Sequence, residues 1–216
     1  YTDYSLLTAD KTVCSDVHKV FQQITGMGKK IHPKALIHAP FNLRRSIMKM
    51  IQAEKKAAER GKPARILAKM NALTDPTVIK ALYEASQVGV TVDLIVRGTC
   101  CLKPGIKGVS DNIRVISVVG RFLEHSRVYF FENSPNQVFC SSADWMERNL
   151  SNRIEVCFPI IKKKWANRIV NEMELYLSDK VQSWALTSDG AYNQKGPKNE
   201  EALGVQSILQ KSLGRL

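Results

Sequence analysis

The order strand, helix, strand between residues 65 and 96 constrains this chain more than any other feature. Arg65–Leu73 reads as an apolar strand, Asp75-Pro76 opens a helix with proline at its first position, and Gly89 closes it before the β-branched run Val90–Val96. Two strands joined by a helical crossover lie parallel, and parallel strands are apolar on both faces because helices cover them. The expected fold is therefore α/β.

The flanking segments extend that unit. Asp3–Thr8 reads as a short strand, and Ala9–Thr25 as a helix entered through Asp10, with Val13, Val17, Val20 and Ile24 at helical spacing. Gly26–Gly28 stops it, His32-Pro33 reads as a linker, and a boundary is expected near 27–33. Ala35–His38 follows as a strand, and Asn42 as the cap of a helix reaching about Arg60, with Leu43, Ile47, Met50 and Ile51 as its buried stripe. Ile113–Val119 reads as a strand, Val128–Phe131 and Val138–Ser141 as a hairpin around Asn133–Asn136, and Ile154–Ile160 as a further strand. Lys162–Leu177 is expected to be a helix with Trp165, Ile169, Met173 and Tyr176 on one side. Beyond Ser178 apolar density drops and glycines interrupt the chain, which reads as a tail. The expected divisions are 1–28, 29–178 and 179–216.

Of 216 residues, 32 are Lys or Arg and 20 are Asp or Glu, a net charge of +12 that points to an anionic partner. The excess is local. Residues 29–69 hold twelve basic side chains against Glu54 and Glu59, which leaves only +2 for everything else. A charge run of this kind is also what a plain solvated helix face looks like. No apolar run approaches the roughly 20 residues of a membrane-spanning helix. The chain opens on Tyr1 with no signal-like segment, so it is expected to be part of something longer. Its five cysteines form no CxxC pair and its four histidines no i, i+4 pair, so reduced thiols and no metal site built by this chain are expected.

The sharpest local phrase is Gly120-Arg-Phe-Leu-Glu-His125-Ser-Arg127, opening the strand Val128–Phe131. On an extended chain His125, Arg127 and Tyr129 share a face. Imidazole can attack phosphorus or carry a proton, while guanidinium grips phosphoryl oxygens in a bidentate manner. Ser141, Ser142 and Asp144 are candidates to orient that histidine. Arg97 closes the buried strand Val90–Val96, where ligands of open α/β sheets gather. Glu155 lies in an apolar strand and is expected to need a buried cation, with Arg127, Arg148 and Arg153 as candidates. The Gly105 and Gly108 loop matches no phosphate-cradling fingerprint.

Several of these segments together are recognisable. Tyr1–Asp10, Asn71–Asp75, Leu94–Gly98, Ser110–Arg114, Arg121–Arg127 and Ser141–Asn149 closely resemble the C-terminal part of bacterial polyphosphate kinase of the type 1 family. The resemblance covers most of residues 1–178. It implies a phospholipase-D-like mixed sheet flanked by helices, preceded by the end of a second similar domain. The phospholipase D signature of His-x-Lys and Gly-Ser-x-Asn has become His125-x-Arg127 and Ser141-Ser-Ala-Asp144.

What the resemblance implies for function is reversible transfer of the terminal phosphoryl group of ATP to inorganic polyphosphate through a phosphohistidine. It implies ATP or phosphate contacts from Tyr1, Asp3, Arg97 and His125, and catalytic roles for His125, Arg127 and Glu155. The family's phosphorylated histidine and its Mg²⁺-associated residues lie upstream of Tyr1, so this chain is expected to carry half of an active site, with His125 as acid or base. ATP and ADP, polyphosphate, Mg²⁺ and a homo-oligomer of the full-length enzyme are the implied partners, with nucleic acid excluded. The implied location is cytoplasmic, with peripheral contact to the inner membrane left open. The rival readings are a phospholipase-D-like nuclease or phosphodiesterase and a non-catalytic basic polyanion-binding module.

Overall fold

Helix formation follows the local signals closely. The computed structural model describes residues 1–26, 33–194, 196 and 203–214. Helix α1 (Lys11–Ile24) begins where the Asp10 carboxylate accepts from the backbone N–H groups of Thr12 and Val13. Helix α2 (Leu43–Ala58) buries Leu43, Ile47, Met50 and Ile51, the stripe its sequence marks. Gly61, at φ +68°, supplies the left-handed turn after it, which costs a residue with a Cβ. Helix α3 (Pro76–Gln87) is capped by Asp75, whose side chain accepts from Thr77 and Val78. Helix α4 spans Lys163–Ser178 and helix α5 Val205–Leu213.

The strands are β1 (Ile37–Ala39), β2 (Arg65–Met70), β3 (Thr91–Val96), β4 (Ile113–Val118), β5 (Arg127–Phe131), β6 (Val138–Ser141), β7 (Glu155–Pro159), β8 (Ser183–Leu186) and β9 (Tyr192–Gln194). They form one mixed sheet in the order β1-β7-β6-β5-β2-β3-β4-β8-β9. β2, β3 and β4 are parallel, as the crossover requires, and all other pairings are antiparallel. The α/β mixed sheet flanked by helices expected from the sequence is the fold formed.

Alternation along each strand sends side chains to two cores. On one face Ile66, Ala68, Met70, Leu94 and Val96 pack under α2 and α3. On the other, Leu67, Ile95, Ile116 and Val128 pack under Ile169, Met173 and Leu177 of α4 and Val205 and Leu209 of α5. A small third cluster joins Val20 of α1 to Leu36. Asp16, fully buried on α1, fastens that joint. One carboxylate oxygen accepts from the backbone N–H groups of Lys34, Ala35 and Leu36 at 2.7, 2.7 and 3.2 Å.

Several expectations need correcting. Residues 3–8 form no strand: only Thr2 bridges, in parallel, to Glu124, and Leu6 and Leu7 stay exposed with nothing alongside to pair them. Asn42 occupies the N-cap position of α2, but its side chain accepts from His38 N–H at 2.8 Å instead of capping the helix. Trp165 is 43% exposed between Lys164 and Arg168 rather than on the buried side of α4. The stretch after Ser178, read as a tail, adds β8 to the edge at β4, then β9, and lays α5 beside α4. The boundary expected near 27–33 lies, except for Pro33, outside the described residues. No described helix is long and apolar enough to cross a membrane.

Candidate active site

The C-terminal end of β2 and the entry to β5 meet in the middle of the sheet, where Lys69 stands opposite Val128. Side chains from distant parts of the sequence gather at that edge. The segment before β5 is pinned from outside by the start of the chain. Thr2 N–H donates to Leu123 O at 2.9 Å, and Thr2 O accepts from His125 and Ser126 N–H at 3.2 and 2.9 Å. This clamp sets Tyr1 and Asp3 on either side of the imidazole. Asp3 Oδ2 lies 2.7 Å from His125 Nδ1, and the Tyr1 ring meets the imidazole edge-on at a centroid distance of 4.8 Å.

A carboxylate can only accept, so the contact with Asp3 puts the proton on Nδ1 and leaves Nε2 as the lone-pair nitrogen. Arg127 Nη1 stands 3.1 Å from that Nε2 and 3.3 Å from Nδ1, against the imidazole, and donates to His125 O at 2.9 Å. The guanidinium is fixed from behind by Asp144, with Nε and Nη2 each 3.3 Å from one carboxylate oxygen. Asp144 Oδ1 also accepts from Asn71 N–H at 2.7 Å, and Asn71 Oδ1 accepts from Arg97 Nε at 2.9 Å. Asp3, His125, Arg127, Asp144, Asn71 and Arg97 thus form one hydrogen-bonded row. The Asn71 amide nitrogen is buried and has no partner among the described residues.

The odd-even alternation that aims His125 and Arg127 one way aims Glu124 and Ser126 the other. There Lys69, buried in β2, donates to Ser126 Oγ at 2.6 Å and pairs with Glu124 at 3.0 Å. Glu124 is a hub: it also accepts from Thr2 Oγ1 at 2.8 Å, Tyr176 of α4 at 2.8 Å and Gln206 of α5 at 2.7 Å. Burial pushes the Glu124 carboxyl up, but Lys69 foremost, with Gln206 and Thr2, outweighs it and holds the group below its ordinary range. Burial pulls the Lys69 ammonium down despite that pairing. Gln206 closes the arrangement by donating to Phe122 O at 2.8 Å and accepting from Phe122 N–H at 3.0 Å.

Two cavities flank the row. One of about 510 Å³ opens beside Tyr1 and is lined by Tyr4, Phe122, Tyr176 and Leu209. The other, of about 310 Å³, holds Arg97 with Ser117, Trp184 and Tyr192.

The structure therefore brings together Tyr1, Asp3, His125 and Arg127, and links Arg97 to them through Asn71 and Asp144. Glu155 is placed differently from the expectation. Its partners are neutral, Ser142 Oγ and Asn149 Nδ2, and among the described residues it makes no salt bridge. Ser141 bonds to Val156 O and Ala143 N–H, so neither serine orients His125; Asp3 does, and Asp144 serves Arg127. Lys69, Asn71, Glu124 and Thr2 are the residues that sequence reasoning missed. Lys69 carried a signal of burial, though not of its partner, since it shares a face with buried Leu67 and sits between apolar Ala68 and Met70.

Comparison with known proteins bears on the family to which the chain belongs. The family described as polyphosphate kinase C-terminal domain 2 matches residues 36–206. The chain is 54% identical over 215 residues to a polyphosphate kinase of Pseudomonas aeruginosa, covering 99% of this chain and 31% of that protein. It is 50% identical over 216 residues to one from Xylella fastidiosa, again 31% of its length. The crystal structure of polyphosphate kinase from Porphyromonas gingivalis superposes with a TM-score of 0.90 and 37% identity, over 96% of this chain and 32% of that one. The chain thus spans about a third of the length of the relatives it matches.

Proposed function

This chain belongs to the polyphosphate kinase C-terminal domain 2 family, and from that membership we propose that it supplies the nucleotide-side half of an ATP:polyphosphate phosphotransferase site. The reaction moves the terminal phosphoryl group of ATP onto inorganic polyphosphate, reversibly, by way of a phosphohistidine on a segment upstream of Tyr1. The observation that carries this reading is the placement of His125: Nδ1 is anchored on Asp3, and the guanidinium of Arg127 lies against the ring, 3.1 Å from Nε2.

In this arrangement Tyr1 packs on the base at the 510 Å³ cavity. Arg97 and Arg127 offset the negative charge that spreads over the phosphoryl oxygens, where preorganised donors count most. The unpartnered Asn71 amide adds a neutral donor beside Arg97. His125 Nε2 takes up or delivers the proton as the phosphoryl group leaves or arrives, and Asp3 keeps the ring in the tautomer that makes this work. Glu155 supports the site indirectly, by holding the Ser142 and Asn149 side chains beside the Ser141–Asp144 turn.

The magnesium that accompanies ATP does not fit a site built by this chain. Asp3, the carboxylate at the imidazole, is engaged with His125, and guanidinium groups face the same space. Among the described residues no three His, Cys, Asp or Glu side chains cluster.

The test is His125→Ala in the full-length protein, assayed for polyphosphate synthesis from ATP. Loss of synthesis is expected; retained full activity refutes the role. The present chain mixed with ATP should also take up no acid-labile phosphate, and a phosphohistidine on it would relocate the nucleophile.

A further inference from the structure

The +10 carried by residues 29–69 is sorted by the fold into two populations. Four of its cations face acids from elsewhere in the chain: Arg44 meets Asp75 at 2.6 Å, Lys55 meets Glu84 at 2.7 Å, Arg65 meets Asp93 at 2.7 Å, and Lys69 meets Glu124 at 3.0 Å. Six others, Lys34, Arg45, Lys49, Lys56, Arg60 and Lys62, are exposed, and among the described residues none has a side-chain partner. Arg45, Lys49 and Lys56 fall at i, i+4 and i+11, a single outward stripe of α2 with Gln52 between them, and Arg60 continues it past the helix end.

Lys56 sits in the last turn, where the helix dipole favours a cation, but the start of the helix gains nothing from this pattern. Arg45 lies in the first turn, where the positive end of the helix dipole disfavours a cation, and that turn holds no acid. Arg45 with Lys49, and Lys56 with Arg60, are like charges four residues apart, which repel. Of the two acids that could relieve them, Glu54 is turned inward and held by Asn133 and Arg65, and Glu59 stays exposed at the far end, three residues from Lys56, so Arg45 and Lys49 are left unrelieved. A stripe whose first half is kept against its own electrostatics points to an anion from outside.

Its course gives the shape of that anion. The N-terminal end of α2 is tied by Arg44 to Asp75, and Asp75 N–H donates to Trp145 O, the residue after Asp144 in the catalytic row. The far end lies by Glu54, Arg65 and Asn133, at the opposite end of β2. From Arg45 to Lys56 the stripe runs about 17 Å along the helix axis. It therefore starts at the active-site edge and leads away from it, as suits a linear polyanion.

We propose that the outer face of α2, through Arg45, Lys49, Lys56 and Arg60, is a track on which the polyphosphate chain lies as it enters or leaves the site. This rests on the phosphotransferase reading above. Short chains that occupy only the catalytic row do not reach the track; long ones do.

The test uses the full-length protein carrying Arg45→Gln, Lys49→Gln, Lys56→Gln and Arg60→Gln together. Phosphorylation of ADP is measured with tripolyphosphate and with chains of several hundred phosphates, across a range of salt. The expected result is a KM for long chains raised by about tenfold or more, the scale on which loss of several phosphate contacts acts. The KM for tripolyphosphate, the KM for ADP and kcat should hold, which also shows that the variant folds. The slope of log KM for long chains against log salt should flatten by about 0.7 per lost contact. An unchanged long-chain KM overturns the track, as does an equal rise for short and long chains. Loss of DNA or anionic-vesicle binding with no change in long-chain KM also overturns it, in favour of those partners. A parent protein with no transfer to any chain length refutes the phosphotransferase reading instead, a distinct outcome.

Discussion

Replacing Asp144 separates what holds Arg127 in place from what Arg127 does. Its Oδ1 accepts from Asn71 and Ala72 N–H and from Arg127 Nε, and its Oδ2 from Arg127 Nη2. In Asp144→Asn the remaining amide oxygen can keep the Oδ1 contacts, but the new NH₂ faces Nη2 donor to donor and the charge is gone. One charged contact is lost, a cost of about 2 kcal/mol. In Asp144→Ala every contact goes and a largely buried guanidinium keeps only its neutral contacts with His125, so the cost rises to about 4 kcal/mol, in the range for breaking a buried pair. For a chain of this size those values correspond to melting points lowered by roughly 6 and 12 °C. The assay is thermal and urea denaturation of the two variants, closed as a cycle with Arg127→Gln. Asp144→Ala should lose most of its effect once Arg127 is already gone, with a coupling energy of about 2 kcal/mol. A coupling near zero, or an Asp144→Ala variant within about 0.5 kcal/mol of the parent, would refute the view that this carboxylate fixes the guanidinium.

Lys69→Met, similar in length but uncharged, should cost about 3 kcal/mol by leaving Glu124 buried without its cation, and should raise the KM for ATP as the Thr2 clamp loosens; urea denaturation and steady-state kinetics read the two effects. Burial pushes the Asp16 carboxyl up, but the N–H groups of Ala35, Leu36 and Lys34, with Lys19, outweigh it and leave it below its ordinary value. Its contribution is therefore fully present above about pH 4, the unfolded value, and is lost as pH falls through the lower folded one. Amide exchange at Lys34–Leu36 should accelerate in that acid window, and Asp16→Asn should exchange fast at every pH. A thiol reagent at pH 8 should label exposed Cys14 and Cys101 quickly, while Cys100, pushed by burial to about 11, and Cys140, to about 12, should resist until denaturant is added.

Where chemistry is local, the sequence states the structure. The cap Asp75 before Pro76, the stripe of α2 and the hairpin β5–β6 are all decided by residues within a few positions of one another. The tyrosine, carboxylate, histidine and arginines of the row are legible too, as residue types that suit phosphate and through the family resemblance. What is not legible is pairing at long range. Nothing near Lys69 says that Glu124, 55 positions on, will neutralise it. Glu155 shows the converse: an acid in an apolar strand suggests a cation, yet two neutral donors from nearby turns suffice. The stretch after Ser178 looks like a tail because short strands at a sheet edge need few apolar residues.

The Thr2 clamp and the Gln206 contact also have a consequence for biosynthesis. Thr2 and Glu124 are 122 residues apart, and Gln206 lies 82 beyond Glu124. Closing a loop of the first length costs roughly 4 kcal/mol of chain entropy before any contact is made. A ribosome delivers Tyr1 and Asp3 well before α5, so Glu124 has its full set of partners only when that helix has emerged. A chain released before residue 206 lacks the Gln206 contacts to Phe122 and Glu124 that brace the segment carrying His125.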